Sequence, residues 1–226
     1  MNEINTTDEL RPEYDLKNLR VRKRKRIRSY SDYSLDALQE ICGIENQRAD
    51  LNLIDNAENV FPSAWLEESL RKNLKMLLNS EKAKSEWLIA PVLTELQERN
   101  VHKFNIFSGN SFDVLPEKFL KDRCDYLLNK GQSVNITAPV IGIFEAKDDS
   151  LEKWYGQCGA EMVAAQLFNQ QHNEPYPIIY GAVTNGYEWI FLRLEENRLL
   201  IDNRRYYLQD LSQLLTALQT VVDFYD

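Results

Sequence analysis

The stretch that decides the fold is Ala138–Lys147, APVIGIFEAK. Val140, Ile141, Ile143 and Phe144 form a short, nearly continuous apolar run, the pattern of a strand covered on both faces. The run ends in Glu145-Ala146-Lys147. Side chains two apart on a strand share a face, so the carboxylate and the ammonium are expected to project together from one edge of the sheet. Upstream, Asp125 begins a second apolar run, Asp125-Tyr126-Leu127-Leu128. If the chain turns back so that the two strands pair antiparallel, a second carboxylate joins the first. Two carboxylates can hold a hard divalent cation through oxygen, and a lysine beside them can position a water or stabilise a charged transition state. The plainer reading of Glu145 and Lys147 is a same-face ion pair, worth at most about 1 kcal/mol if exposed.

The flanking sequence supplies helices. After Lys147, Asp148-Asp149-Ser150 offers N-cap residues and Glu152 follows Asp149 at capping-box spacing, so a helix is expected to about Gln171. Leu151, Trp154, Tyr155, Cys158, Met162 and Ala165 trace its buried face. Upstream, Ser80–Asn100 reads as a helix with Ile89, Leu93 and Leu96 on its core stripe, kinked or restarted at Pro91. Glu86 sits one turn before Ile89 on that side, or pairs with Lys82 on a solvated edge. Strands are expected at Phe104–Phe107, Pro177–Thr184 and Tyr187–Leu194, the last two joined by Asn185-Gly186 in a type I′ turn. Val134–Thr137 is expected to begin the pairing into Ala138–Lys147. Arg204–Leu208 is expected as an edge strand and Leu211–Val222 as an amphipathic helix.

In this order the pieces resemble the PD-(D/E)xK restriction-endonuclease-like nucleases. The likeness is to the N-terminal nuclease domain of type I restriction-enzyme R subunits. It is carried by SEWLIAPVLTEL (85–96), CDYLL (124–128), GIFEAK (142–147) and YGAVTNGYEWIFLRL (180–194). The resemblance implies an α/β (α+β) fold with a central mixed sheet flanked by helices, and Mg²⁺- or Mn²⁺-dependent hydrolysis of phosphodiesters, in DNA for preference. It implies Asp125 and Glu145 as metal ligands, Lys147 as the residue that orients or activates the attacking water, and Glu86 as an accessory ligand. Those nucleases carry a Gln-x-x-x-Tyr motif on the helix after the lysine. Here Gln157 is followed four residues later by Glu161, so Gln157 matches only the first position. The alternative is a catalytically silent module of the same fold that binds nucleic acid or a protein partner. No motor segment accompanies the match, so translocation is not carried over. Nucleases that cut both strands often pair, which makes a homodimer one expected partner.

Length and charge frame these readings. A chain of 226 residues, 43% hydrophobic, buries a full core. Its net charge is −8, yet Lys17–Arg28 holds eight of the 27 basic residues and no acid. Arg22, Lys23, Arg24, Lys25 and Arg26 are candidate phosphate contacts, or a solvated flank. The division expected is a basic, flexible arm over 1–33, a helical extension over 34–79 and an α/β core over 80–226. That extension contains a short helix at Leu35–Ile41, ended by Gly43. A longer helix from Phe61-Pro62-Ser63 to about Asn79 has Trp65, Leu66, Leu70, Leu74, Leu77 and Leu78 on its apolar face. Three scattered cysteines and two isolated histidines argue against a disulfide framework or a zinc site. With no membrane-length apolar run and no signal-peptide pattern, a cytoplasmic protein is expected.

Overall fold

The computed structural model describes residues 27–147 and 150–226. Among them the elements run α1 (Leu35–Cys42), β1 (Glu45–Ala49), α2 (Ala64–Asn73), α3 (Glu81–Lys84), α4 (Ala90–Arg99), β2 (Phe104–Ser111), β3 (Arg123–Lys130) and β4 (Val140–Ala146). They continue with α5 (Tyr155–Gln171), β5 (Ile178–Thr184), β6 (Glu188–Glu195), β7 (Arg198–Asp202), β8 (Tyr206–Tyr207) and α6 (Leu211–Asp223). The strands form one mixed sheet of eight, ordered β1-β7-β6-β5-β4-β3-β2, with β8 beside β6. Two pairings are parallel, β1 with β7 and β4 with β5, and the rest are antiparallel. No helix among the described residues is long and apolar enough to cross a membrane.

The apolar run of β4 explains its place. Every residue of the strand is buried, because β3 and β5 cover its edges and helices cover both faces. Phe144 and Ala146 pack in the layer that contains α4 and α6, while Ile143 packs against α5. The ladder to β3 starts only at Asn129↔Val140, with a register shift after Leu128. Val134–Thr137, expected to begin that ladder, stays outside it.

Local chemistry sets the helix ends. Ser34, Ser63, Ser80 and Asp210 accept backbone N–H bonds at the starts of α1, α2, α3 and α6. Gly43, at φ +72°, ends α1 in the left-handed region. Between α3 and α4 the helix widens into a π turn, Ser85–Ile89. Pro91 has no N–H to offer the Trp87 carbonyl, so the ladder is broken there. Asn73 Nδ2 donates to that carbonyl instead, at 2.8 Å. The restart at Pro91 thus takes the form of a wide turn rather than a sharp kink.

Other expectations need correction. Leu66 and Leu70 of α2 are buried, but the helix stops at Asn73 and leaves Trp65, Leu74 and Leu77 exposed. β2 continues past Gly109 to Ser111, because β3 pairs with it as far as Arg123. In the β5–β6 connection only Gly186 has positive φ, so the turn is not type I′. The Asn185 side chain accepts the N–H groups of Tyr187 and Glu188, and pairing resumes at Thr184↔Trp189. The segment 34–79 contributes a strand as well as helices. Residues 27–33, expected in the arm, dock on the body: Tyr30 and Tyr33 are buried, and their hydroxyls donate to Phe112 O and Lys118 O.

Candidate functional site

β3 and β4 are neighbours, and their pairing brings Asp125 and Glu145 to the same end of the sheet. The Ala146 N–H donates to Asp125 Oδ2 at 2.9 Å, which ties the aspartate to the β4 backbone. The Lys147 N–H donates to Thr184 O at 2.7 Å, holding the residue against the end of β5. The Lys147 ammonium then lies 3.0 Å from Glu145 Oε2 and 3.8 Å from Asp125 Oδ2, with the Trp154 ring centroid 4.8 Å away. Glu145 is fully buried, Lys147 nearly so, and the Asp125 side chain is about one-third exposed.

Gln157 and Glu161 reach this group from α5. Gln157 Nε2 donates to Glu145 Oε2 at 2.8 Å and to Glu161 Oε1 at 3.0 Å, all three residues being buried. As carboxylates, Glu145 and Glu161 would each keep one buried oxygen, Oε1 and Oε2 respectively, with no hydrogen-bond partner. A proton held on Glu161 and donated to Glu145 relieves this crowding. Burial pushes Glu161 well above the usual glutamate range, and the charge and hydrogen bond of Glu145 push it further. Burial also raises Glu145, to about 7, with Asp125 adding to the rise and the bonds from Glu161 and Lys147 opposing it. For Lys147, burial favours the neutral amine, but Glu145 and Asp125 outweigh it and hold the pKa above the ordinary lysine value.

A scan against protein-family models and a search of curated proteins both find no match for this chain. The site is therefore read from its own geometry.

Of the residues expected from sequence, Asp125, Glu145, Lys147 and Gln157 come together. Glu86 is half exposed, pairs with Lys82 at 3.7 Å and lines a cleft of about 390 Å³ together with Asp125. Among the described residues no group of three or more His, Cys, Asp and Glu side chains is arranged to hold a metal ion. Arg22, Lys23, Arg24, Lys25 and Arg26 lie outside the described residues, as do Asp148 and Asp149 of the expected cap. A larger cavity, about 750 Å³, lies between the loop 52–61 and α6 and contains none of the site residues. The smaller cleft is lined by Asp125 and Ala146 but not by the buried Glu145, Lys147 or Gln157.

Glu161 is the residue that sequence reasoning passed over. Its signal was present: Glu161 lies four residues after Gln157, on the same helix face. The residues around it, Cys158, Ala160, Met162, Val163 and Ala164, are all apolar, so a glutamate there is exceptional.

Proposed function

We propose that the chain is a metal-dependent phosphodiesterase of restriction-endonuclease-like type, acting on nucleic acid, with DNA as the first choice. The observation that carries this reading is the convergence of Asp125, Glu145 and Lys147 at one end of two neighbouring strands. The donors suit Mg²⁺ or Mn²⁺, because both carboxylates offer hard oxygen ligands. Asp125 and Glu145 would hold the ion. Once bound, it would lower the pKa of water and offset charge on the scissile phosphate.

The protein groups have separable roles. Asp125, tied to the Ala146 N–H, presents a fixed carboxylate to the cleft. Gln157 holds Glu145 from behind and orients it toward the lysine. Because Lys147 stays charged, its role is to orient water and stabilise developing negative charge rather than to accept a proton. A cytoplasmic setting accords with three unpaired cysteines.

One observation favours a second reading, a module that binds without cutting. The Lys147 ammonium already neutralises Glu145. Cleavage of single-stranded and duplex DNA and RNA with Mg²⁺ or Mn²⁺ separates the two. The nuclease reading expects cleavage that is lost in Lys147→Ala, and thermal stabilisation by metal that is lost in Glu145→Ala. Intact substrates together with no metal response would refute it.

A further inference from the structure

We infer that the face formed by the end of α2, the β5–β6 turn and β8 is where a second copy of this chain binds, giving a two-fold dimer. The inference does not rest on the nuclease reading. Leu77 is 81% exposed, and Leu74, Met76, Trp87, Tyr187 and Tyr207 are each 40–49% exposed. They belong to segments tied to one another. The Leu208 N–H donates to Tyr187 O at 2.8 Å, which sets Tyr207 beside the β5–β6 turn. A Cβ on Gly186 would meet Leu88 Cβ at 3.1 Å, so that turn lies against the π turn that contains Trp87. Asn73, next to Leu74, donates to the Trp87 carbonyl at 2.8 Å. Exposed apolar and aromatic residues gathered in this way mark an interaction surface.

Shape selects the occupant. Leu74, Tyr187, Leu208 and Gln209 line a cavity of about 180 Å³, and an apolar cavity of about 150 Å³ takes a benzene-sized group. Leu77, three residues after Leu74, is the most exposed residue of the face. One face thus carries both a hole and a knob of matching size. A two-fold contact requires that self-complementarity, because each copy's knob enters the other's hole. A surface made for a different protein needs only the hole. Area is sufficient as well. With a fully exposed aromatic side chain at roughly 150–250 Å² and an aliphatic one toward the low end, the six residues offer about 600 Å² per copy. Two copies then bury about 1,200 Å², the lower bound for a stable, specific interface. Charge permits the contact. Arg71 and Lys72 pair with Glu68, and Arg205 with Glu188, so these cations are neutralised within one copy and do not repel their counterparts.

The test is sedimentation equilibrium of the full chain. Loaded at about 1–100 µM, it is expected to show a monomer–dimer equilibrium with a micromolar Kd, the weak end for an interface of this size. Leu77→Asp and Leu77→Ala should each raise that Kd by roughly 30-fold or more, the effect of removing a central anchor. Val134→Asp, which changes a residue 91% exposed on the loop after β3, should leave it unchanged. Because both positions are on the surface, circular dichroism should give all three variants the wild-type melting temperature. If Leu77→Asp melts early, Leu77→Ala, which adds no charge, decides. A wild-type chain that stays monomeric at the highest loading overturns the inference and leaves the face to a different protein. A dimer indifferent to both Leu77 changes overturns it too, since that dimer must use another face.

Discussion

Glu161→Gln replaces a buried carboxyl with an amide of nearly the same shape, and its effect should depend on pH. A carboxyl whose folded pKa exceeds its unfolded value binds its proton more tightly in the native state. The stability it contributes is complete below the ordinary value of 4.5 and is lost as pH rises toward the raised folded value. Glu161 is fully buried beside Glu145, so wild type carries this dependence and the variant does not. The amide has no titrating proton to retain, while its NH₂ can still donate to Glu145. Within the window the variant should gain on wild type by up to about 1.4 kcal/mol per pH unit, the slope of one retained proton. Urea denaturation of both proteins across that range measures the difference directly. Parallel stability curves, with the variant offset by a constant amount, would refute the reasoning and show that Glu161 holds no extra proton in the native state.

Three further outcomes are expected. Lys147→Met removes the cation but keeps most of the volume, leaving Glu145 buried and uncompensated. The cost at pH 8 should be about 3–5 kcal/mol, and smaller at pH 5, below the Glu145 value of about 7; an equal cost at both would sink this account. Gly156→Ala places a Cβ within 2.4 Å of the Ser34 carbonyl carbon and 2.6 Å of Tyr33 O, both backbone. Overpacking there should cost about 1–3 kcal/mol or more by calorimetry, exceeding Gly159→Ala, whose clashes are with the flexible Leu38 and Leu199 side chains. Replacing Arg22, Lys23, Arg24, Lys25 and Arg26 with Ser should flatten the salt dependence of nucleic-acid binding by about 0.9 per lost phosphate contact on duplex DNA. An unchanged slope identifies the run as a solvated flank.

What was legible in the sequence had strong periodicity or fixed spacing. The apolar run before Glu145 read as a doubly covered strand because burial on both faces leaves no polar alternation. Asp125, Glu145 and Lys147 could be joined because period-2 spacing and antiparallel pairing are local rules. Glu161 was harder, since burial of a glutamate depends on α5 being enclosed by the sheet on one side and α1 on the other. β1 was invisible for a related reason: its sequence, ENQRA, is polar and mostly exposed, and only the partner strand β7 makes it a strand. Tyr30 and Tyr33 lie in polar sequence, and their anchoring depends on carbonyls more than 80 positions away.

The pairing of β1 with β7 has a consequence for how the chain is made. Glu45 lies opposite Arg198, about 150 residues later. At ribosomal speeds of about 5–20 residues per second, β1 waits roughly 8–30 s for its partner to be synthesised. Throughout that interval its backbone amides and carbonyls have only water to bond with. The sheet therefore cannot be completed vectorially from the N-terminus, and β1, the first strand among the described residues, is among the last to be secured. Slowing translation between β1 and β7 lengthens the nascent chain's exposure at that edge without altering a single residue.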